Sequence, residues 1–220
     1  MIEDFLFDVS EALKWPVLIA VLLALLWAIV EVGGLLVEIA RRRHRNVYAL
    51  ERAVETCRAH LAAGQRNEAL AALLALANSR QMEETIAGIF DQLGQPDAEA
   101  RISKRLAEYD YLSLRRLERT RILVRFGPAL GLMGTLIPLS PALAGLADGD
   151  VETLTENLRI AFGVTVAGLL VGAIAFTVSL IRDRLYAQDY SDVEYMAAGL
   201  LNGPHPNLPV GQHSHWAVAP

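Results

Sequence analysis

The 220-residue sequence holds one cysteine, Cys57. No intrachain disulfide can form, and a lone thiol in a helical stretch reads as a reduced packing residue. Charge is missing from three long blocks: Trp15 to Val30, Phe126 to Ala147 and Ile160 to Ile181 contain no Asp, Glu, Lys or Arg. The last two blocks also lack histidine, so neither can relay a proton through a titrating side chain of its own. No nucleophile stands beside a histidine or paired carboxylates within them, which leaves an enzyme such as an intramembrane hydrolase without its chemistry. Ahead of the first block stand the acidic Glu3, Asp4, Asp8 and Glu11, where a cleavable signal carries a basic region. No small-residue cleavage site follows, so that block reads as a retained helix.

What is present is apolar and clustered. The chain is 53% hydrophobic with a mean hydropathy of +0.31, and its apolar residues lie in blocks, as membrane insertion demands and an ordinary soluble core does not. A spanning helix needs roughly 20 residues. The second and third blocks meet that outright; the first does so if its helix runs on through Glu31 towards Ala40. The sequence therefore predicts an all-α integral membrane protein with three transmembrane helices and long cytoplasmic helical extensions. The expected parts are an extracytoplasmic amino terminus (1–14), span one (15–40), a cytoplasmic helical region (41–125), span two (126–147), an extracytoplasmic turn (148–157), span three (158–181), a cytoplasmic helix (182–202) and a disordered tail (203–220).

Basic residues set the orientation. Arg41, Arg42, Arg43 and Arg45 follow span one, Arg115, Arg116, Arg119, Arg121 and Arg125 precede span two, and Arg182 and Arg184 follow span three. All fall on one side, which the positive-inside rule assigns to the cytoplasm. The acidic amino terminus and the turn Asp148-Gly-Asp-Val-Glu152 fall on the other. The amino terminus is thus expected outside and the carboxy terminus in the cytoplasm. These basic residues act as topology signals, and no nucleic-acid partner is implied.

The stretch from about Asn46 to Arg125 reads as helical throughout. Val47, Leu50, Val54, Cys57 and Leu61 recur at helical spacing before a break at Gly64, and an alanine-rich helix follows from Asn67 to about Ala77. Gly94-Gln95-Pro96 marks a turn, with Asp97 as the expected cap of a long charged helix that runs from Ala98 to Arg125 and into span two. Span three continues into 183–201, where Leu185, Tyr186, Val193, Met196 and Leu200 supply an apolar face. The tail beyond is rich in proline and histidine, and His213 with His215 on a flexible segment makes too weak a set to predict a metal site.

The residues with chemical interest lie on the hairpin of spans two and three. Pro128, Gly131, Thr135, Pro138, Ala142 and Gly145 recur every three or four residues along one stripe of span two. Ala161, Thr165, Gly168, Gly172, Ala175 and Ser179 do the same on span three. Small-residue stripes let backbones approach closely, which drives helix association in lipid. Packing explains Pro138 and Pro141 less well, because each lacks an amide hydrogen and frees the carbonyl four residues back, on Gly134 and Ile137. Freed carbonyls at membrane depth need a protein, hydroxyl or water partner. Thr135 and Ser140 stand nearby in sequence. With Thr165 they either carry a water file and solvate a partner's carboxylate, or simply bond their own backbone.

Glu31 also has two readings. An ionisable residue at membrane depth is a functional candidate; alternatively, if the boundary falls near Val30, Glu31 and Glu38 begin the cytoplasmic extension, and the sequence favours this second reading.

Phe126-Gly-Pro-Ala-Leu-Gly-Leu-Met-Gly-Thr-Leu136, together with Ala161-Phe-Gly-Val-Thr-Val-Ala-Gly-Leu-Leu170, resembles the paired signature of the ExbB/TolQ/MotA proton-channel family. The resemblance covers about Leu123 to Arg184. It implies a homopentameric ring in the inner membrane around single-span partners like ExbD, TolR or MotB, each with a membrane aspartate that carries the proton. It implies no cofactor, with H+ as the transported ion and Na+ as the alternative. By motif, Thr135 and Thr165 resemble the family's pore threonines and Pro128 the proline that opens the pore-lining span in the flagellar branch. The ion pathway is accordingly expected along Thr135, Thr165, Ser140, Pro138, Pro128, Gly131 and Ser179.

Two departures stand out. Ile160 occupies the position five residues before Thr165 where ExbB-like members carry glutamate, and Ile137-Pro-Leu-Ser-Pro141 replaces the usual glycine-containing continuation of span two. The expectation is therefore a ring subunit of an ion-driven motor, its branch unassigned. The competing expectation is a non-conducting membrane scaffold that recruits partners through its cytoplasmic helices.

Overall fold

The computed structural model describes Phe5, Asp8, Val9 and residues 11–42 and 47–201. Glu3, Asp4, Arg43, Arg45 and the 203–220 tail with His213 and His215 lie outside the described residues. Among the described residues, all regular structure is helical: α1 (Lys14–Arg42), α2 (Val47–Ala62), α3 (Arg66–Leu74), α4 (Arg80–Phe90), α5 (Ala98–Ala147) and α6 (Val151–Leu201). Helices α1, α5 and α6 are each long and apolar enough to cross a membrane, with apolar windows of mean hydropathy 2.5, 1.6 and 2.4. The chain divides into two compact units, Met1–Arg43 with Leu112–Tyr186, and His44–Tyr111 with Ala187–Pro220.

The first unit holds the three apolar helical stretches. Helix α1 buries Val17, Val21, Ala24, Ala28 and Leu35, a progression by four and three residues that keeps one narrow seam on its partners. Ala24 and Ala28 pack with Leu123 of α5 and with Val171 and Ala175 of α6. The outer face of α1 carries Ile19, Leu22, Leu23, Leu26 and Val30, each more than half exposed. Such a face is costly in water and matched to hydrocarbon.

Helix α5 passes through Pro128, Pro138 and Pro141 without losing helical assignment. It ends in a tight turn where Gly149 takes φ +78, a left-handed conformation that suits a residue without Cβ. Asp150 then caps α6: its carboxylate accepts the Thr153 amide at 3.0 Å and the Thr153 hydroxyl at 2.5 Å. The hydroxyl bond, followed by the amide bond, holds the Asp150 carboxyl below the usual carboxylate range. Because of this cap the regular helix begins at Val151, ahead of residue 158 where span three was expected to start.

The second unit packs α2, α3 and α4 with the amino-terminal part of α5 and the carboxy-terminal part of α6. Its core contains Cys57, Leu73, Met82, Phe90, Ile102, Tyr109, Val193, Met196 and Leu200. Helix α3 closes in tightened turns, with Leu76 and Ala77 amides bonding the Leu73 and Leu74 carbonyls. Ser79, extended at φ −147 and ψ 151, starts α4 by accepting the Met82 amide on its side chain. That cap divides a stretch whose composition reads as helical throughout. Asp97 stands immediately before α5 in a left-handed conformation at φ 61, its carbonyl accepting the Arg101 amide at 3.1 Å. Arg58 donates from Nε to the Gly199 carbonyl at 2.8 Å, satisfying a last-turn acceptor of α6. Asn78 donates to Asp189 at 2.7 Å.

Cys57 is fully buried, and burial pushes its thiol from an ordinary 9.0 up to about 11. A maleimide at pH 8 should therefore leave Cys57 unlabelled in the native protein and label it fully after denaturation. The folded thiol has the raised value, so its contribution to stability is complete below pH 9 and declines as pH rises towards 11. In the hairpin turn, Asp150→Ala should fray the first turn of α6, detected as faster amide exchange at Thr153.

Candidate functional site: the hairpin seam and its polar end

The crossing of α5 and α6 is made by glycines. A Cβ built on Gly168 would lie 2.6 Å from the Gly127 carbonyl oxygen and 2.7 Å from the Gly131 Cα. One on Gly127 would lie 2.8 Å from both the Gly168 carbonyl oxygen and the Gly172 amide nitrogen. Real side chains do not tolerate such distances to backbone, so the two chains meet main chain to main chain. The Pro128 ring closes the contact, because a Cβ on Gly172 would meet its Cγ and Cδ at 2.8 Å.

Thr165 stands at this crossing. Its hydroxyl lies 3.1 Å from the Ala161 carbonyl and 3.5 Å from the Gly131 carbonyl on the facing helix. Gly131, Pro128 and Thr165 are thereby brought together. The other expected pathway residues are spread along the hairpin. Thr135 is half-buried and donates to the Leu132 carbonyl at 2.7 Å, not to Gly134, whose carbonyl Pro138 frees. Pro138 is almost completely buried and Ser140 is half-buried. Ser179 is 7% exposed and donates to the Phe176 carbonyl at 2.9 Å. Thr135, Thr165 and Ser179 thus spend their protons on backbone oxygens. Their remaining lone pairs are acceptors, suited to water or a protonated carboxyl and unable to donate to a carboxylate.

At the other end of the unit the seam turns polar. Glu31 continues the inward stripe of α1 between Ala28 and Leu35. One of its oxygens accepts the Trp27 indole N–H at 3.0 Å; the other accepts from Thr120 of α5 at 3.3 Å and from Arg182 Nη1 of α6. Arg182 Nη1 also reaches the Thr120 hydroxyl at 3.0 Å, and its Nη2 lies 3.3 Å from Glu38. Arg42 stands 3.7 Å from the second Glu38 oxygen and 5.9 Å over the Tyr186 ring. Thr120 is fully buried and Arg182 is 8% exposed. Gly34 leaves room for the guanidinium, since a Cβ there would be 3.1 Å from Arg182 Nη2.

Glu31 therefore has a definite place, bonded to both other helices of the unit. Thr120 escaped sequence reasoning, and Arg182 counted there only as a topology signal. The periodicity held the missing clue. Glu31 and Glu38 are seven residues apart in register with Ala24 and Ala28, and Arg182 is the next step of the stripe Ala161, Thr165, Gly168, Gly172, Ala175, Ser179.

Three apolar helices, a glycine-locked hairpin and hydroxyls along its seam define a multi-pass membrane protein. A family model described as the MotA/TolQ/ExbB proton channel family matches residues 77–189, just over half of the chain. The protein belongs to that family, one of proton channels and not of enzymes. Neither the curated proteins nor the solved structures contain a match. The matched region includes the hairpin, Thr120 and Arg182, whereas α1 with Glu31 and Glu38 lies ahead of it.

The crossing yields a paired expectation. Gly168→Ala drives Cβ into backbone and should destabilise the hairpin by about 1–3 kcal/mol. Gly163→Ala, where nothing lies within 4 Å of the added carbon, should be neutral or slightly stabilising. Thermal unfolding of both variants in detergent checks the contrast.

Proposed function

We propose that the protein is the ring subunit of an ion-driven motor in the inner membrane. Five copies surround single-span partners of the ExbD, TolR or MotB kind, the amino terminus is outside, and the loop between α1 and α5 lies in the cytoplasm. The observation that carries the proposal is the family match over a hairpin whose crossing places Thr165 across from the Gly131 carbonyl. Protonation and release of a partner aspartate change which ring subunit accommodates it best, and ring and partner turn against each other. A charge falling through 100 mV releases about 2.3 kcal/mol, so several transfers combine in each unit of work. H+ is the proposed ion, with Na+ the alternative. Thr135, Thr165 and Ser140 present hydroxyl oxygens to the aspartate, Pro138 and Pro128 shape the wall, and Gly131 and Ser179 complete it.

The self-satisfied hydroxyls of Thr135 and Ser179 favour a second reading, a non-conducting scaffold whose small residues only assemble helices. Substitution separates the two. On the motor reading, Thr135→Val and Thr165→Val assemble with the partner yet lose ion-driven flux by about ten-fold or more, the effect of 1.4 kcal/mol at one barrier. Full flux in both variants, measured in proteoliposomes under an imposed gradient, would refute the motor and leave the scaffold.

A further inference from the structure

We infer that Arg182 is a positioning residue for the ion pathway, fixing the rotation of α6 through a fork that grips Glu31 and Glu38 of α1 and Thr120 of α5. This rests on the proposed role of Thr165 in that pathway.

Gly168 and Gly172 fix α6 where it crosses α5; Arg182, further along the same stripe, sets its rotation at the polar end of the unit. A buried ion pair specifies it strongly, because any slip leaves a charge without its counter-charge. Arg182 suits this role by shape. Its planar guanidinium presents two terminal nitrogens in fixed geometry; here one meets Glu31 and Thr120 while the other meets Glu38. The carboxylates are a heptad apart on one stripe of α1, so the fork is anchored at two levels of that helix. Arg182 and Thr165 lie on the same stripe of α6, and holding the first fixes the direction in which the second points. Glu31 is half-buried, triply bonded and paired, which makes it an anchor and a poor proton carrier. Both carboxylates come from α1, outside the family-matched region, so the clamp is a contribution of this chain's first helix to the hairpin.

The test uses the full chain with its partner, in a Cys57→Ala background, with two readouts. The first is the distance distribution between spin labels placed at the exposed positions Leu36 and Leu180, measured by dipolar spectroscopy in nanodiscs. The second is ion flux in proteoliposomes. Arg182→Gln and Glu31→Gln should broaden the distance distribution and lower flux by about ten-fold while the ring still assembles. The triple exchange Glu31→Arg, Glu38→Gln and Arg182→Glu, which leaves no carboxylate facing position 182, should narrow the distribution again and restore flux to within about three-fold of the parent. If Arg182→Gln fails to fold, Arg182→Lys, which keeps the charge and loses the fork, should show the same broadening. An unchanged distribution in the single variants overturns the clamp, as does a triple exchange that restores neither readout. A parent complex without flux overturns the motor reading on which the pathway role rests, and the role falls with it; the distance readout then still decides the clamp itself.

Discussion

The approach of Gly168 to Gly127 and Gly131 admits no side-chain atom between α5 and α6, and the rest of the three-helix unit is arranged around that contact. In lipid, apolar side chains gain little by leaving hydrocarbon, so association depends on van der Waals contact and hydrogen bonding at short range. Glycine supplies both by exposing main chain. The Gly131 carbonyl comes within reach of the Thr165 hydroxyl only because no side chain holds the helices apart. Pro128 fits because Gly172 leaves a hollow beneath it. Val171 and Ala175 are then turned towards α1, where Ala24 and Ala28 complete the seam.

Polar groups in this unit fall into two kinds that do different work. Along the hairpin, the hydroxyls of Thr135, Thr165 and Ser179 have their protons committed to backbone oxygens. At its end the polar groups are full charges, a buried Arg182 paired with the half-buried Glu31 and Glu38. The hydroxyls stay uncharged acceptors, with lone pairs left over after their backbone bonds. The charges form a fixed point, since separating Arg182 from its carboxylates exposes ions where water is scarce.

Much of this was legible in the amino-acid order. Blocks without charge marked the three long apolar helices, and three-and-four spacing placed Gly131, Thr165 and Gly168 on facing stripes before any coordinates. The family signature rested on those same residues. Less legible was where each hydroxyl proton goes: Thr135 chooses Leu132 over the carbonyl freed by Pro138, a choice of side-chain rotamer that spacing cannot express. The helix α4 was hidden within a uniformly helical composition because its start depends on one Ser79 hydroxyl. The pairing of Glu31 was illegible for a different reason: its partner Arg182 stands 151 residues away in the chain.

That separation bears on how the protein is made. Ribosomes release α1 long before α6, so Glu31 leaves the ribosome with its counter-ion still unsynthesised. Until α6 arrives, Glu31 and Glu38 stand without the guanidinium that pairs them, so the first long helix reaches its final electrostatic state only when the last one is made.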